Sequence, residues 1–337
     1  MKAAIIDAPR RMRVGECNAP EPGRGEVVVR VRAAGICAGD LYIYVGKNPY
    51  ANYPRIAGHE ICGTVEKVGP EVSGISQGSV VVVEPFIGCG KCYPCRVGKS
   101  NCCANLGLIG TNLPGGYAEF VVAPARNIHP VPAGLPPVIA SFAEPLAIGV
   151  QACRRAEVKP GEDVLILGCG PIGLALIEVA KARGARVVAA DVSESRLAFA
   201  RTLGAEVLKA DKELTRKVLE QTNGEGAAVV IEATGNPEAM EQTVELVASG
   251  GRIVIVGLVR KGVNISIPGL DITRKEMTLL GSRASVNCFP EALQLLASGK
   301  IQYPKVATQL SMWEAPAVFE KLVNDPASMH KGVLVID

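Results

Sequence analysis

The stretch VLILGCGPIG, residues 164–173, sets glycines at 168, 170 and 173 between an apolar, β-branched run and a run of helical texture. A turn of this spacing at a strand-to-helix junction has a physical reason for each glycine. The first permits the tight turn, the second lets an anion approach the backbone, and the third lets helix and strand pack closely. The surroundings narrow the fold further. A strand, ARVVAAD, follows and closes on Asp191, eighteen residues beyond Gly173. Then come helix SESRLAFARTLG, strand AAVVIEATG, helix PEAMEQTVELVASG and the strands GRIVIVGL and EMTLLGS. Strands alternating with helices imply an α/β unit with a doubly wound parallel sheet covered on both faces.

A helix N-terminus behind such a loop offers free N–H groups to a pyrophosphate. Asp191 would accept hydrogen bonds from ribose hydroxyls and repel a 2′-phosphate, which favours NAD over NADP. The expected cofactor-binding set is Gly168, Gly170, Pro171, Ile172, Gly173 and Asp191, with Thr234 and Gly257 at the ends of two later strands. Arg196 is close enough to soften the preference for NAD; the plainer reading is a solvent-facing helix arginine.

The first part of the chain has a different texture. GEVVVRVRAAG, ICGTVEKVG and GSVVVVEPF are short β-rich runs broken by glycine and proline, and the tail from FPEALQLLASGKI to KGVLVID returns to a mixed pattern. The length suits two domains. The expected division is a β-rich domain of residues 1–145 and 288–337 around a Rossmann domain of residues 146–287. A net charge of +3, no long Lys/Arg run and 4% aromatic residues give no support for a nucleic-acid partner. No stretch approaches the roughly 20 apolar residues of a membrane helix, and the start lacks the texture of a secretory signal. The expectation is a soluble cytoplasmic protein without a membrane partner, in a reducing compartment where clustered cysteines read as metal ligands.

Five of the eleven cysteines fall between Gly88 and Cys103. Cys89, Cys92, Cys95 and Cys103 have gaps that let four thiolates close a tetrahedron around a structural zinc. Cys102 is an alternative fourth ligand. The first three also match an iron–sulfur spacing, but the next cysteine after three residues, followed by proline, is missing.

A second constellation uses Cys37 in GICAGD, His59 and Glu60 in AGHEICG, and Glu144 in FAEPLAIG. A thiolate, an imidazole and carboxylates suit a catalytic zinc that keeps a fourth position open. With the cysteine lobe and the glycine loop, in this order, these motifs resemble the zinc-dependent medium-chain dehydrogenase family over nearly the whole chain. The EPL of Glu144 is similar to the branch that holds the sorbitol, threonine and hexonate dehydrogenases. The resemblance implies a GroES-like β-rich catalytic domain beside the Rossmann domain, with the active site in the cleft between them. It implies Cys37 and His59 as zinc ligands, with Glu60 and Glu144 sharing the remaining role, one binding directly and the other holding a zinc-bound water. Two zinc ions per chain and NAD are the expected cofactors, and a polyol or sugar acid the substrate.

One departure stands out. Relatives place Ser or Thr two residues after the ligand cysteine to relay the alcohol proton, and here that residue is Gly39. Tyr42 falls where many relatives place a relay histidine, but an ordinary tyrosine pKa of about 10 makes it a poor base near neutrality; a packed or substrate-contacting aromatic is the plainer reading. Asp40 is expected to orient His59. Arg283, in LLGSRAS, is a candidate to grip a substrate carboxylate, against a surface ion pair or a cofactor contact. Other chemistry stays open: a nucleotide-responsive regulator that keeps the fold, or an NAD-recycling lyase. The late strands GRIVIVGL and EMTLLGS point to a sheet edge, which relatives cover by two-fold association, and hence to a homodimer or a homotetramer.

Overall fold

A computed structural model of the chain describes residues 1–326 and 328–336. It divides into two compact units, Met1–Glu144 with Phe289–Lys300 and the chain from Pro304, and Pro145–Cys288 with Ile301–Tyr303. No helix of the described residues is long and apolar enough to cross a membrane.

The first unit is built on a seven-stranded sheet. Its order runs Ala307–Ser311, Lys331–Val335, Glu26–Gly35, Glu60–Val68, Val80–Val83 and Ile128–Pro130, with Phe120–Pro124 also paired to Glu26–Gly35. Alternating β-branched residues explain these strands, and their inward positions, including Val27, Val29, Val31, Ile61 and Val65, form the core with Tyr117 and Phe319. The rings of Tyr44 and Tyr117 each meet Phe319 edge-on, at 5.6 and 5.7 Å. The last strand, Lys331–Val335, pairs antiparallel with the end of Glu26–Gly35, so distant parts of the sequence share one sheet.

The second unit carries the parallel sheet read from the sequence. The six strands lie in the order Glu206–Lys209, Arg186–Asp191, Asp163–Leu167, Ala227–Glu232, Val247–Ile255 and Thr278–Gly281. Strand Glu206–Lys209 and helices Leu214–Gln221 and Gly269–Lys275 were not expected from the sequence. The helix begun at Pro237 ends at Leu246, and Val247, Ala248 and Ser249 belong to the next strand instead. Ile301–Tyr303, expected in the first unit, groups with the second because Glu178 Oε1 accepts the N–H of Gln302 at 2.6 Å and of Tyr303 at 2.8 Å.

Gly173 sits in the helix Pro171–Ala182, and a Cβ there would fall 1.8 Å from the carbonyl oxygen of Gly168. The third glycine of the loop is therefore a packing requirement. Gly173→Ala should cost about 1–3 kcal/mol through overpacking, read as a lower urea midpoint with an unchanged slope. An unaltered midpoint would show that helix and strand can separate at no cost.

Candidate metal centres and cofactor site

Cys89, Cys92, Cys95 and Cys103 converge in one lobe, with their ligand atoms all within 4.8 Å of one another. Cys92 Sγ lies 3.4 Å from Cys95 Sγ and 3.7 Å from Cys103 Sγ. Cys103 Sγ also accepts the backbone N–H of Cys89 and of Asn105, each at 3.3 Å. Backbone N–H groups of Ala104 and Cys95 bring the Cys92 thiol down to about 6. Such bonds favour a thiolate at Cys92, while burial and the neighbouring Cys92 push Cys95 up to about 11; four sulfurs at this spacing fit a tetrahedral zinc. Cys102 is exposed and stays outside the group, whose fourth member is Cys103.

The second centre forms where strand ends meet. Cys37 follows strand Glu26–Gly35 and caps the helix Ala38–Tyr44, accepting the N–H of Gly39 at 3.5 Å. Asp40, fully buried, holds the surroundings together. Its Oδ2 accepts the N–H of Cys37 at 2.9 Å and the hydroxyl of Tyr117 at 2.7 Å. Its Oδ1 accepts the N–H of Gly58 at 3.3 Å and lies 3.3 Å from Nδ1 of His59. Burial would push the Asp40 carboxyl up, but His59, Cys37 and Tyr117 outweigh it and hold the group below its usual range. With Nδ1 turned to Asp40, Nε2 is the ring nitrogen left for an ion.

Ligand atoms of Cys37, His59 and Glu60 lie within 4.8 Å of one another. Glu144, in the first turn of the helix Ala143–Arg155, is buried nearby but is not one of these three. Burial pushes its carboxyl up to about 7, with Glu60 and Asp40 adding to the rise and His59 and Lys331 opposing it. At His59 burial disfavours the charged ring, but Asp40 and Cys37 outweigh that and hold it well above its ordinary value. The anions that hold the His59 proton are negative charge in a buried site, which a divalent cation can offset. Glu60 Oε2, moreover, is a buried oxygen with no hydrogen-bond partner. A thiolate, an imidazole and a carboxylate suit zinc with a position left open. The residues fit the ion.

Three of the polar groups around this centre escaped sequence reasoning or had only a bland expectation. Tyr117, fully buried, donates to Asp40 and to the carbonyl of Gly35 at 3.1 Å. Lys331, 2% exposed, donates to Glu60 Oε1 and to the carbonyl of Ile36 at 2.9 Å. A lysine heading an apolar strand, KGVLV, was the one signal available. Tyr42, by contrast, is 56% exposed on its helix, a position that suits contact with solvent or substrate.

In the second unit the expected cofactor residues gather at the carboxyl end of the sheet. Gly168, Gly170, Pro171, Ile172 and Gly173 join strand Asp163–Leu167 to helix Pro171–Ala182, with Pro171 as its first residue. Asp191 Oδ2 accepts the N–H of Cys169 and Oδ1 the N–H of Ser193, both at 2.8 Å. Each oxygen retains a second lone pair for a ribose hydroxyl. Arg196, half exposed, places Nη1 3.7 Å from Asp191 Oδ2, so it leans on the acid rather than standing free in solvent. Glu232, which the sequence did not single out, is fully buried; its Oε1 accepts the N–H of Thr234 at 2.6 Å and of Gly235 at 2.9 Å. The backbone carbonyl of Glu232 accepts the N–H of Gly257 at 3.2 Å, and a Cβ on Gly257 would come within 2.5 Å of Glu232 Oε2, so a side chain there is excluded. Arg283 is exposed in the loop after strand Thr278–Gly281.

Comparison with known proteins gives a consistent picture. Residues 23–133 match the alcohol dehydrogenase GroES-like domain, and residues 171–298 match the zinc-binding dehydrogenase domain. The L-galactonate-5-dehydrogenase of Escherichia coli (strain K12) is 36% identical over 99% of this chain and 98% of its own. The short chain alcohol dehydrogenase RspB of E. coli CFT073, solved with NADH, superposes with a TM-score of 0.93 at 31% identity, covering 100% of this chain and 99% of that one. A zinc-binding dehydrogenase of Sinorhizobium meliloti 1021, solved with NADP, gives a TM-score of 0.91 at 32% identity and covers 99% of each chain. With full-length similarity and both domains matched around two preformed thiolate and mixed-donor centres, the chain belongs to the zinc-type medium-chain alcohol dehydrogenase family.

Proposed function

We propose that the chain oxidises a secondary hydroxyl of a polyol or sugar acid with NAD as hydride acceptor, in the cytoplasm. The observation that carries this reading is the convergence of Cys37, His59 and Glu60 around a buried, unpartnered carboxylate oxygen, in a chain that also holds a glycine loop braced by Asp191. The similarity to a sugar-acid dehydrogenase supports the substrate class.

Cys37, His59 and Glu60 would hold the catalytic zinc, which when bound lowers the pKa of a coordinated hydroxyl. Asp40 fixes the His59 ring and its proton on Nδ1. Glu144 offers a second carboxylate to accept a hydrogen bond from water or substrate. Asp191 accepts from the cofactor ribose and the glycine loop admits the pyrophosphate, while the Glu232 carboxylate holds the backbone of Thr234 and Gly235 in place.

Asp191 favours NAD by charge, and Arg196 beside it tempers that preference. Asp191→Ala removes the ribose acceptor and the repulsion of a 2′-phosphate together. It should therefore lose more affinity for NADH than for NADPH, as measured by fluorescence titration. Equal losses for both would remove Asp191 from the discrimination.

The strand Thr278–Gly281 closes one edge of the parallel sheet, and Leu279 on it is 41% exposed. The neighbouring helix Gly269–Lys275 buries none of its residues, and Leu270 and Ile272 on it are exposed. An open edge with apolar side chains favours pairing with a second copy about a two-fold axis, giving a homodimer or a homotetramer built from dimers. Light scattering at micromolar concentration should return a multiple of the 35.2 kDa chain mass, and a monomeric mass rules the pairing out.

A Cβ at Gly39 would meet Cys37 Sγ at 3.8 Å and His59 Cε1 at 3.9 Å, ordinary contact distances. A Cβ is therefore accommodated beside the centre without displacing a neighbour. A polyhydroxylated substrate can supply the missing hydroxyl itself, while a plain secondary alcohol cannot. NADH formation across a panel of polyols and aldonates tests the function, with plain alcohols of matched size as the reference. The polyhydroxylated compounds should be turned over faster, within the range of about 10²–10⁴-fold that acid–base relays contribute. Gly39→Ser should narrow the gap. No NADH from any member of the panel sinks the reading, and equal kcat values with no response to Gly39→Ser sink the role of Gly39.

A further inference from the structure

Lys331 is a costly residue in its position. Its side chain is 1% exposed and stands at the head of a strand that is otherwise apolar. A buried ammonium needs a charged partner and hydrogen bonds to be tolerated. Lys331 finds Glu60 Oε1 and the carbonyl of Ile36. Ile36 immediately precedes Cys37, and its own N–H donates to the carbonyl of Gly332 at 2.9 Å. The strand Lys331–Val335 thus grips both arms of the centre: the peptide before Cys37 and the carboxylate of Glu60.

The carboxylate has little freedom beyond this. Gly35 and Glu60 face each other across two paired strands, and a Cβ on Gly35 would fall 1.9 Å from Glu60 Oε2. The acid lies flat over a glycine, with Oε1 committed to Lys331 and Oε2 buried without a partner. A cation at the centre therefore meets one oxygen of Glu60, whose negative charge is already drawn toward an ammonium. Both effects weaken the grip of Glu60. Loss of the lysine charge would also remove a repulsion between two cations in a buried site, where such terms are large.

We propose that Lys331 is a positioning residue that restrains Glu60 to a weak, one-oxygen ligand of the catalytic metal, so that the coordination stays open for a substrate hydroxyl. The inference rests on the metal-centre reading above and concerns the strength and number of bonds from Glu60. It sets the sign of an effect. Removing the charge of Lys331 should tighten metal binding, whereas loss of a mere strut should loosen it.

The test uses full-length protein, with the four-cysteine zinc as an internal reference. Zinc is counted in the natural protein, then the second site is titrated against a chromophoric chelator and its cobalt(II) form is recorded in the visible range. Lys331→Met removes charge and donors. Lys331→Gln removes the charge and keeps a donor for Glu60 and Ile36. Both should bind the second ion more tightly; groups behind a metal ligand change affinity by about 10–100-fold, usually as a loss when removed, and here the change should be a gain. The cobalt bands should weaken as Glu60 brings in its second oxygen and coordination rises. Unchanged or weaker binding in a folded variant overturns the proposal, as does an unaltered cobalt spectrum. If both variants fail to fold, judged by circular dichroism, Lys331 is a strut of the sheet and the proposal is likewise overturned. A natural protein that holds only the four-cysteine zinc removes the metal-centre reading itself. A natural protein with two zinc ions and variants that match it removes only the role of Lys331.

Discussion

Asp40 is the group on which the first unit's chemistry turns. One carboxylate, wholly out of water, takes hydrogen bonds from the backbone of Cys37 and Gly58 and from Tyr117, and faces the ring of His59. Leaving such a charge buried without these donors would be prohibitive. The donors in turn come from three separate segments, so the cost of burying the acid fixes their mutual positions. Cys37, Gly58 and His59 are held around the same residue. Glu60 and Glu144 add two more buried carboxyl groups to the same region.

The second unit uses the same device in weaker form. Asp191 and Glu232 are acids at the carboxyl ends of neighbouring regions of the sheet, and both spend oxygens on backbone N–H groups of loops. Asp191 ties the glycine loop to the turn after its own strand. Glu232 ties Thr234 and Gly235 and leaves its other oxygen against Gly257. The loops that would touch a dinucleotide are therefore set by carboxylates already in place, which reduces the ordering needed when a ligand arrives.

Much of this was legible in the sequence, for reasons that differ from element to element. The parallel strands are short apolar runs closed by glycine or acid, and the glycine loop has a fixed spacing, so Gly168 to Gly173 and Asp191 could be placed by inspection. The cysteine lobe is local, and its spacing carries the geometry. Strand Glu206–Lys209 was missed because EVLK is only four residues long and sets its two apolar residues side by side, with no alternation to read. Helix Gly269–Lys275 was missed because none of its residues is buried, so it leaves no apolar stripe. Tyr117, Glu232 and Lys331 were missed for another reason. Each acts through partners whose place depends on the fold, and a tyrosine after two glycines or a lysine before a strand says nothing of what it will face. The hydroxyl missing at Gly39 could be read directly; that the space beside it is open to a side chain could not.

The pairing of Ile36 with Gly332 and Lys331 spans 295 residues of chain, measured at the lysine. On a ribosome the segment carrying Cys37 and His59 emerges early, and the strand that seals it emerges only after the whole second unit has been made. The first sheet must wait with Ala33–Gly35 unpaired on the side that Lys331–Val335 will take, while the parallel sheet forms by itself. The Cys37 thiol thus lacks the cover of this last strand until the end of synthesis. Metal capture at Cys37 and His59 would be a late event, coming after the dinucleotide fold is complete.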